Sequence, residues 1–465
     1  MSGLLSILSQ GASSLQATTA WTQVISQNLA NSSTPGYTRQ RADLTAMLPA
    51  ERMGNAYLGR GVMLAGVVQV RDRFVDAQFS AATGRQAASS AEMSVLQGVT
   101  ALDANGGVGP ALSDFYARLR ALAQNPGSQN YREAAVGSAQ QLAMAFNTTA
   151  TALEAARTGV DQQLSGSLTE VNQAAAQVAQ LNAQIGAARV TGASPNDLLD
   201  ARQRLADRLS QLTGAQPVAN SEGDLNLVLT GGAALVTGTS AATLSGRPDG
   251  SNGGHLALYL SPPDGSAPVA LQPPLGGSLG GALTARDGAL KTAQASVDQL
   301  AFDLTGAINT VHQAGYALDG STGRDLFVAQ ASATGAALAM KVNPLVSANS
   351  ALLAAASSAG SAPGDATNLQ ALIDTETQTL SSGSAVDGTL AQLTSRYGAS
   401  ARQAQAASEG DQAVLDNVTA LRSSTSGVSV DEELVEMQKA QRAYEATSKV
   451  IKAADDMLNT LLSLR

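Results

Sequence analysis

The sequence predicts a mainly α protein with a small β domain inserted in it. Its N- and C-terminal helices are expected to form a coiled-coil layer, and its middle domain to be built of long helices. Three observations point there. Side chains at both ends recur at alternating steps of three and four residues, and the stretches between them are rich in Ala, Ser, Gln and Leu at helical spacing. Composition then changes abruptly after Gly214, where glycine and proline become dense and apolar residues alternate.

At the N-terminus the stripe is Leu4, Leu8, Gly11, Leu15, Thr18, Thr22, Ile25 and Leu29, which is a heptad rhythm. Its helix has modest intrinsic propensity, because Gly, Thr, Ser and Gln are frequent in it. No charged side chain precedes Arg39, so no ion pair one turn apart supports the helix in isolation. The helix should end at Leu29 or Ala30. Asn31 offers a left-handed cap, Pro35 biases Thr34 away from helical angles, and Pro35-Gly36 makes a tight turn before Tyr37.

Residues 38–71 read as extended and irregular, with glycines at 54, 59, 61 and 66 and a strand over 62–70. Helices follow over about 72–103, 108–124 and 129–190; in the last, Leu164, Leu168, Val171, Ala175, Val178, Leu181 and Ile185 share one face. Ser194-Pro195-Asn196-Asp197 reads as the next helix start, with a serine cap, proline at the first position and a carboxylate at the third.

Seven of the 14 prolines fall between Pro217 and Pro274, and Leu225, Leu227, Leu229 and then Leu256, Leu258, Leu260 alternate with period two, predicting a small β module. Helical pattern resumes near Ala282 and runs to Gln313, so the module is inserted. Residues 335–346 read as a strand, 366–380 and 386–421 as helices, and Ser423 to Gly427 as a break. The final helix carries two interleaved heptad series, Val430, Met437, Tyr444, Ile451, Leu458 and Ala440, Thr447, Ala454, Leu461. Ser429 and Glu432 form a capping box, and Asp431, Glu432, Glu433 and Glu436 crowd the positive end of the dipole. Each large apolar seam residue contributes about 1.5–3 kcal/mol when a partner covers it, so both ends are expected to gain order on assembly. The expected domains are 1–40 with 425–465, 41–215 with 281–424, and 216–280.

Composition bounds the function. Charged residues make up 14% and aromatic residues 3%, and the net charge of -9 argues against a nucleic-acid partner. No cysteine is present, which excludes disulfides and thiolate metal sites. No run of 18 apolar residues predicts membrane insertion, and the start of the chain lacks the basic and apolar regions of a cleaved signal peptide. The two histidines, His255 and His312, are expected at surface or strand positions, and the run 319–325 as a turn rather than a calcium loop. GGSLGG, residues 276–281, lacks the lysine of a phosphate loop and reads as a hinge. No catalytic, cofactor or metal site is predicted.

The string ANSSTPGY (30–37), flanked by Gln27-Asn28-Leu29 and Thr38-Arg39-Gln40, resembles the signature of bacterial flagellar rod, hook and hook-associated axial proteins. SPNDLLDARQRL (194–205), GGALTARDGAL (280–290) and the C-terminal passage 426–462 resemble the hook-associated branch at the junction of hook and filament, so the likeness covers nearly the whole chain. The resemblance implies a structural, non-enzymatic adaptor joining hook to filament. It implies an inner layer made by the seam residues Leu4, Leu8, Leu15, Ile25, Leu29, Val430, Met437, Tyr444, Ile451, Leu458 and Leu461, adjoining the turn Asn31, Thr34, Pro35, Gly36, Tyr37. It also implies self-assembly into a ring or helix, contacts with the hook protein and with a second hook-associated protein on the filament side, and a cytoplasmic export chaperone on the C-terminal helix. Secretion would run through the flagellar type III apparatus to an extracellular flagellar position. The alternatives are another axial subunit of rod or hook, or a secreted adhesin or enzyme acting through residues 217–280.

Overall fold

The computed structural model describes residues 2–47, 51–53, 56–102, 107–220 and 222–463; Gly54, among the glycines of the irregular segment, lies outside them. The chain opens with α1 (Ser2–Ala30) and an antiparallel pair, β1 (Gln40–Ala46) with β4 (Val62–Gln69), between which β2 (Glu51–Met53) and β3 (Ala56–Leu58) form a smaller hairpin. α2 (Arg73–Gln97) starts where the Asp72 carboxylate accepts the Phe74 and Val75 amides, and it stops at Gly98, short of residue 103. α3 (Val108–Gln124) and α4 (Gln129–Val190) follow the sequence pattern closely.

α4 has 62 residues, about 93 Å of helix, and it walls two separate cores. Ala135 to Leu153 pack with Phe115, Tyr116, Leu304 and Phe327 in the first. Val160 to Ala179 pack with Leu209, Leu227, Leu235 and Leu258 in the second. α5 (Asn196–Thr213) lies along the second. Contrary to expectation Ser194 does not cap it: Pro195 is the boundary residue and makes no side-chain cap, while the Ser194 carbonyl accepts the Asn196 amide.

The β module is two antiparallel sheets. β5 (Gln216–Ala219), β6 (Leu225–Val228), β7 (Ala234–Thr237) and β8 (Ser240–Ala241) form a four-stranded meander. β9 (Thr243–Pro248), β10 (Leu256–Ser261) and β11 (Val269–Ala270) form the second, in spatial order β11-β10-β9. The alternating leucines place Leu225, Leu227, Leu258 and Leu260 inward against α4.

The expected hinge at GGSLGG is corrected by the structure. It is the start of α6 (Gly277–Thr284), which begins five residues before Ala282. Gly280 and Gly281 are buried, and a side chain at Gly281 would overlap the Ala88 carbonyl of α2. The glycines therefore permit close helix approach, not motion. A wide π-helical turn (285–290) then leads into α7 (Lys291–Ala314).

The strand expected at 335–346 is likewise replaced, by two short helices, α8 (Ala336–Ala339) and α9 (Pro344–Ala348). Asp298 accepts the Gly335 and Ala337 amides at 3.0 Å each, and Asn343 caps α9, so side chains take up the amide donors that a strand would have paired. Only Val342 keeps a strand-like bridge, to Phe327. α10 (Thr367–Asp374) is shorter than expected, and α11 (Val386–Ser426) is longer, running through the supposed break; only residues 427–429 separate it from α12 (Val430–Ser463).

Both histidines are buried, which corrects their expected surface placement, because each joins a polar network that periodicity does not reveal. His255 Nδ1 lies 2.7 Å from Asp161 Oδ2, beside the Arg286–Asp161 ion pair. His312 accepts the Ala354 amide on Nε2 at 3.0 Å, so Nδ1 carries the proton and donates to the Arg324 carbonyl at 2.6 Å. Burial holds the His312 imidazole below its ordinary range. The turn at Asp319 is as expected, its carboxylate accepting the Ser321 amide. His312 stabilises the fold while neutral, so its contribution is fully present above its unfolded pKa and falls as pH drops from about 6.5 towards 5. His312→Ala should lower unfolding free energy by about 2–4 kcal/mol, read by urea denaturation at pH 7, and the wild-type advantage should shrink at pH 5.

Candidate assembly interface

Each terminal helix alone lacks the apolar depth of a core helix. In α1 the fully buried positions are Gly11, Ala17, Thr18, Val24, Ile25 and Asn28; in α12 they are Glu433, Ala440 and Ala454. The two helices pack against each other within the chain. They run antiparallel, since Gly11 lies against Ile451 while Asn28 meets Glu433. A methyl at Gly11 would sit 2.5 Å from Ile451 Cγ1, which explains why glycine occupies a seam position.

Of the expected seam, Ile25 is buried and Leu4, Leu8, Leu15, Leu29, Met437, Ile451 and Leu458 are half-buried. Val430, Tyr444 and Leu461 remain exposed, at 48%, 47% and 51%. The buried line of α12 runs through Glu433, Ala440 and Ala454, with Leu461 continuing it at the end of the helix, while Val430 and Tyr444 belong to the adjacent line of Met437 and Ile451. Leu434, Val435, Val450, Met457 and Leu462 are exposed as well, so α12 carries a broad apolar surface uncovered in the single chain.

The register of the pair is set by polar groups. Asn28 is 1% exposed, and its carboxamide uses all of its hydrogen-bonding capacity. Nδ2 donates to the Gln40 carbonyl at 2.8 Å and to Glu433 Oε2 at 3.0 Å; Oδ1 accepts the Gln40 amide at 3.0 Å and the Tyr37 hydroxyl at 2.9 Å. Glu433, 2% exposed, also takes Arg39 Nε at 2.7 Å, while Arg39 Nη1 reaches Glu432 at 2.8 Å. The expected capping box is therefore only half made. Ser429 Oγ accepts the Glu432 amide at 3.4 Å, but the Glu432 carboxylate is drawn away to Arg39.

The turn between α1 and β1 presents these groups. The Tyr37 amide donates to the Thr34 carbonyl at 3.2 Å, and Gly36 has φ +74°, a type II turn with proline and glycine at its two central positions. Asn31 does not take the left-handed conformation expected of it; its Nδ2 instead donates to the Gln27 carbonyl at 2.9 Å, and its Oδ1 accepts the Thr34 hydroxyl at 3.2 Å. Burial, and then Asp200, Asp197 and Glu433, push the Tyr37 phenol up to about 12, so it remains a donor.

The same knot reaches the middle of the chain. Asp200 accepts the Thr38 hydroxyl at 2.7 Å and Gln69 Nε2 at 2.8 Å, and Asn196 Nδ2 donates to Gln40 Oε1 at 3.1 Å and to the Val67 carbonyl at 3.0 Å. Beside it Arg422, at the end of α11, pairs with Asp76 and Asp207 at 3.0 Å each and stacks on Phe79. Periodicity missed Asn28, Arg39, Gln40, Asn196, Asp200 and Glu433. The available signal was an asparagine one turn after Ile25, on the buried face of a helix.

What this arrangement can do is mechanical. The polar knot fixes how the ends leave the body, and the apolar surface of α12 is left uncovered in the single chain. Among the described residues no helix is long and apolar enough to cross a membrane, and no group of three metal-ligating side chains is found.

Known proteins share parts of this sequence and this fold. The family described as the flagellar hook-associated protein FlgK helical domain matches residues 93–327, and the flagellar basal body rod FlgEFG protein C-terminal family matches residues 422–464. Flagellar hook-associated protein 1 of Salmonella typhimurium is 31% identical over 330 residues, covering 69% of this chain and 59% of that protein's length. The Bacillus subtilis protein of the same name is 25% identical over 488 aligned positions, covering 97% and 96%. The solved flagellar hook junction protein FlgK from Burkholderia pseudomallei has a similar fold, with a TM-score of 0.67 at 19% identity over 75% of this chain and all of that one.

Asn28→Ala would strip the Asn28 partner from Glu433 Oε2, the Gln40 amide and the Tyr37 hydroxyl, at about 2–4 kcal/mol, while Glu433 keeps Arg39. The expected result is faster proteolytic trimming of the first 30 or so residues of the isolated chain, with the cores of α4 untouched; unchanged trimming would show that the knot does not hold the ends.

Proposed function

The chain belongs to the flagellar hook-associated protein FlgK family, and from that premise we propose that it is a non-catalytic adaptor subunit joining hook to filament in the bacterial flagellum, polymerising through its terminal helices. The observation that carries this reading is the paired α1 and α12, whose outer apolar side chains, among them Leu434, Val435, Tyr444, Val450, Met457 and Leu461, await cover. These side chains are about half exposed, so covering what remains of each is worth about 1 kcal/mol. A helix of 34 residues, about 51 Å long, can meet more than one neighbour in a tube wall.

In this reading residues 1–40 with 425–465 form the inner layer, residues 41–215 with 281–424 the helical middle, and residues 216–280 an outward module. Copies of the chain, the hook protein and a second hook-associated protein on the filament side are the assembly partners. A cytoplasmic chaperone shields the C-terminal helix before export through the flagellar type III apparatus, which needs no cleaved signal peptide. The rod-type C-terminal match supports an axial subunit in general, and the match over residues 93–327 favours the hook-associated branch over rod or hook.

Deleting residues 429–465 tests the proposal. The shortened chain is expected to stay soluble and helical by circular dichroism, because neither core of α4 draws on α12, yet cells that carry it should bear hooks without attached filaments in electron micrographs. Normal swimming by such cells would reject the adaptor role.

A further inference from the structure

Where β4 and α2 meet the base of the β module, the structure has a cavity of about 390 Å³ lined by Arg71, Arg73, Arg189 and Arg202, with Asp76 as the acid in its wall. The charges do not cancel. Asp76 is shared between Arg71 at 2.9 Å and Arg422 at 3.0 Å, the latter lying outside the cavity lining. Arg73 is exposed and has no ion-pair partner among the described residues. Arg189 donates to the Glu222 carbonyl at 3.3 Å, a neutral acceptor.

Arg202 is the anomalous group. It is 8% exposed, and its guanidinium meets neutral acceptors through one nitrogen, Nη1, to Asn182 Oδ1 at 2.8 Å and the Gly223 carbonyl at 3.2 Å. No acceptor among the described residues takes its Nε or Nη2. Burial, then the charges of Arg189 and Arg71, push it down to about 10; Asp224 opposes this weakly. A buried cation beside other cations, in a chain whose net charge is -9, is an arrangement that a bound anion would relieve.

We propose that this cavity binds a small oxyanion, phosphate or carboxylate, held by Arg202 and Arg189 with Arg71 and Arg73 at its sides. Planar guanidinium forks match the geometry of such groups. The anion would tie the end of α4, the β5–β6 turn and the start of α2 together, so its binding stiffens the seat of the β module. The oxyanion comes either free from solution or as an acidic side chain of a second copy.

The full-length chain distinguishes these at constant ionic strength. Titration calorimetry with inorganic phosphate and with citrate should give saturable binding that weakens at least about tenfold in the double variant Arg73→Gln, Arg189→Gln, if the source is free anion. If the source is another copy, sedimentation should show self-association that the same variant abolishes and that added citrate reverses. Both altered residues are exposed, so the variant should fold, and the double variant Arg247→Gln, Arg402→Gln, at exposed positions outside the cavity lining, serves as the charge-matched control. Wild type that neither binds either anion more tightly than the double variant nor self-associates through these arginines overturns the proposal.

Discussion

Burying the carboxamide of Asn28 dictates what must surround it. Its two donors and its acceptor oxygen all need partners, and a missing one would leave an unpaired polar group at a site closed to water. The partners come from the turn, from β1 and from the first turn of α12, more than 400 residues away in sequence. The seam between α1 and α12 is rich in Gly, Ala and Thr, and such residues permit several registers at similar energy. Asn28 and Glu433 select one of them, as a single buried polar residue does in coiled coils.

That selection would mean little if the knot floated free of the body. Thr38 and Gln40 bind Asp200 and Asn196, both on the first turns of α5, and α5 in turn packs against α4 in the second core. Arg39 also takes its amide to the Ser426 carbonyl at the end of α11. The segments 28–40, 196–200 and 432–433 are thus a single structural unit although they are separated along the chain.

Helical periodicity made the architecture legible: α1, α3 and α4 lie within a residue or two of where their apolar stripes place them, and period-two leucines marked the β module. What stayed hidden was long-range pairing. His312 gives no local sign that it will receive the Ala354 amide, nor His255 that it will meet Asp161. Glycine was misread at 276–281 because flexibility and close approach demand the same residue, and only the neighbour, here the Ala88 carbonyl, tells them apart. The alanines at 336–339 looked extended because their helical turns are too short to show a period. The α1–α12 contact was half visible: the heptads marked Ala440 and Ala454 on the inward face of α12, but not Glu433, a buried carboxylate on the same line that hydrophobic patterning ignores.

α4 belongs to both cores and is unbroken from Gln129 to Val190. Because one continuous helix walls both, the angle between the two cores is set by that helix, and the sheets of the second core can turn against the first only as far as the residues between Leu153 and Val160 bend.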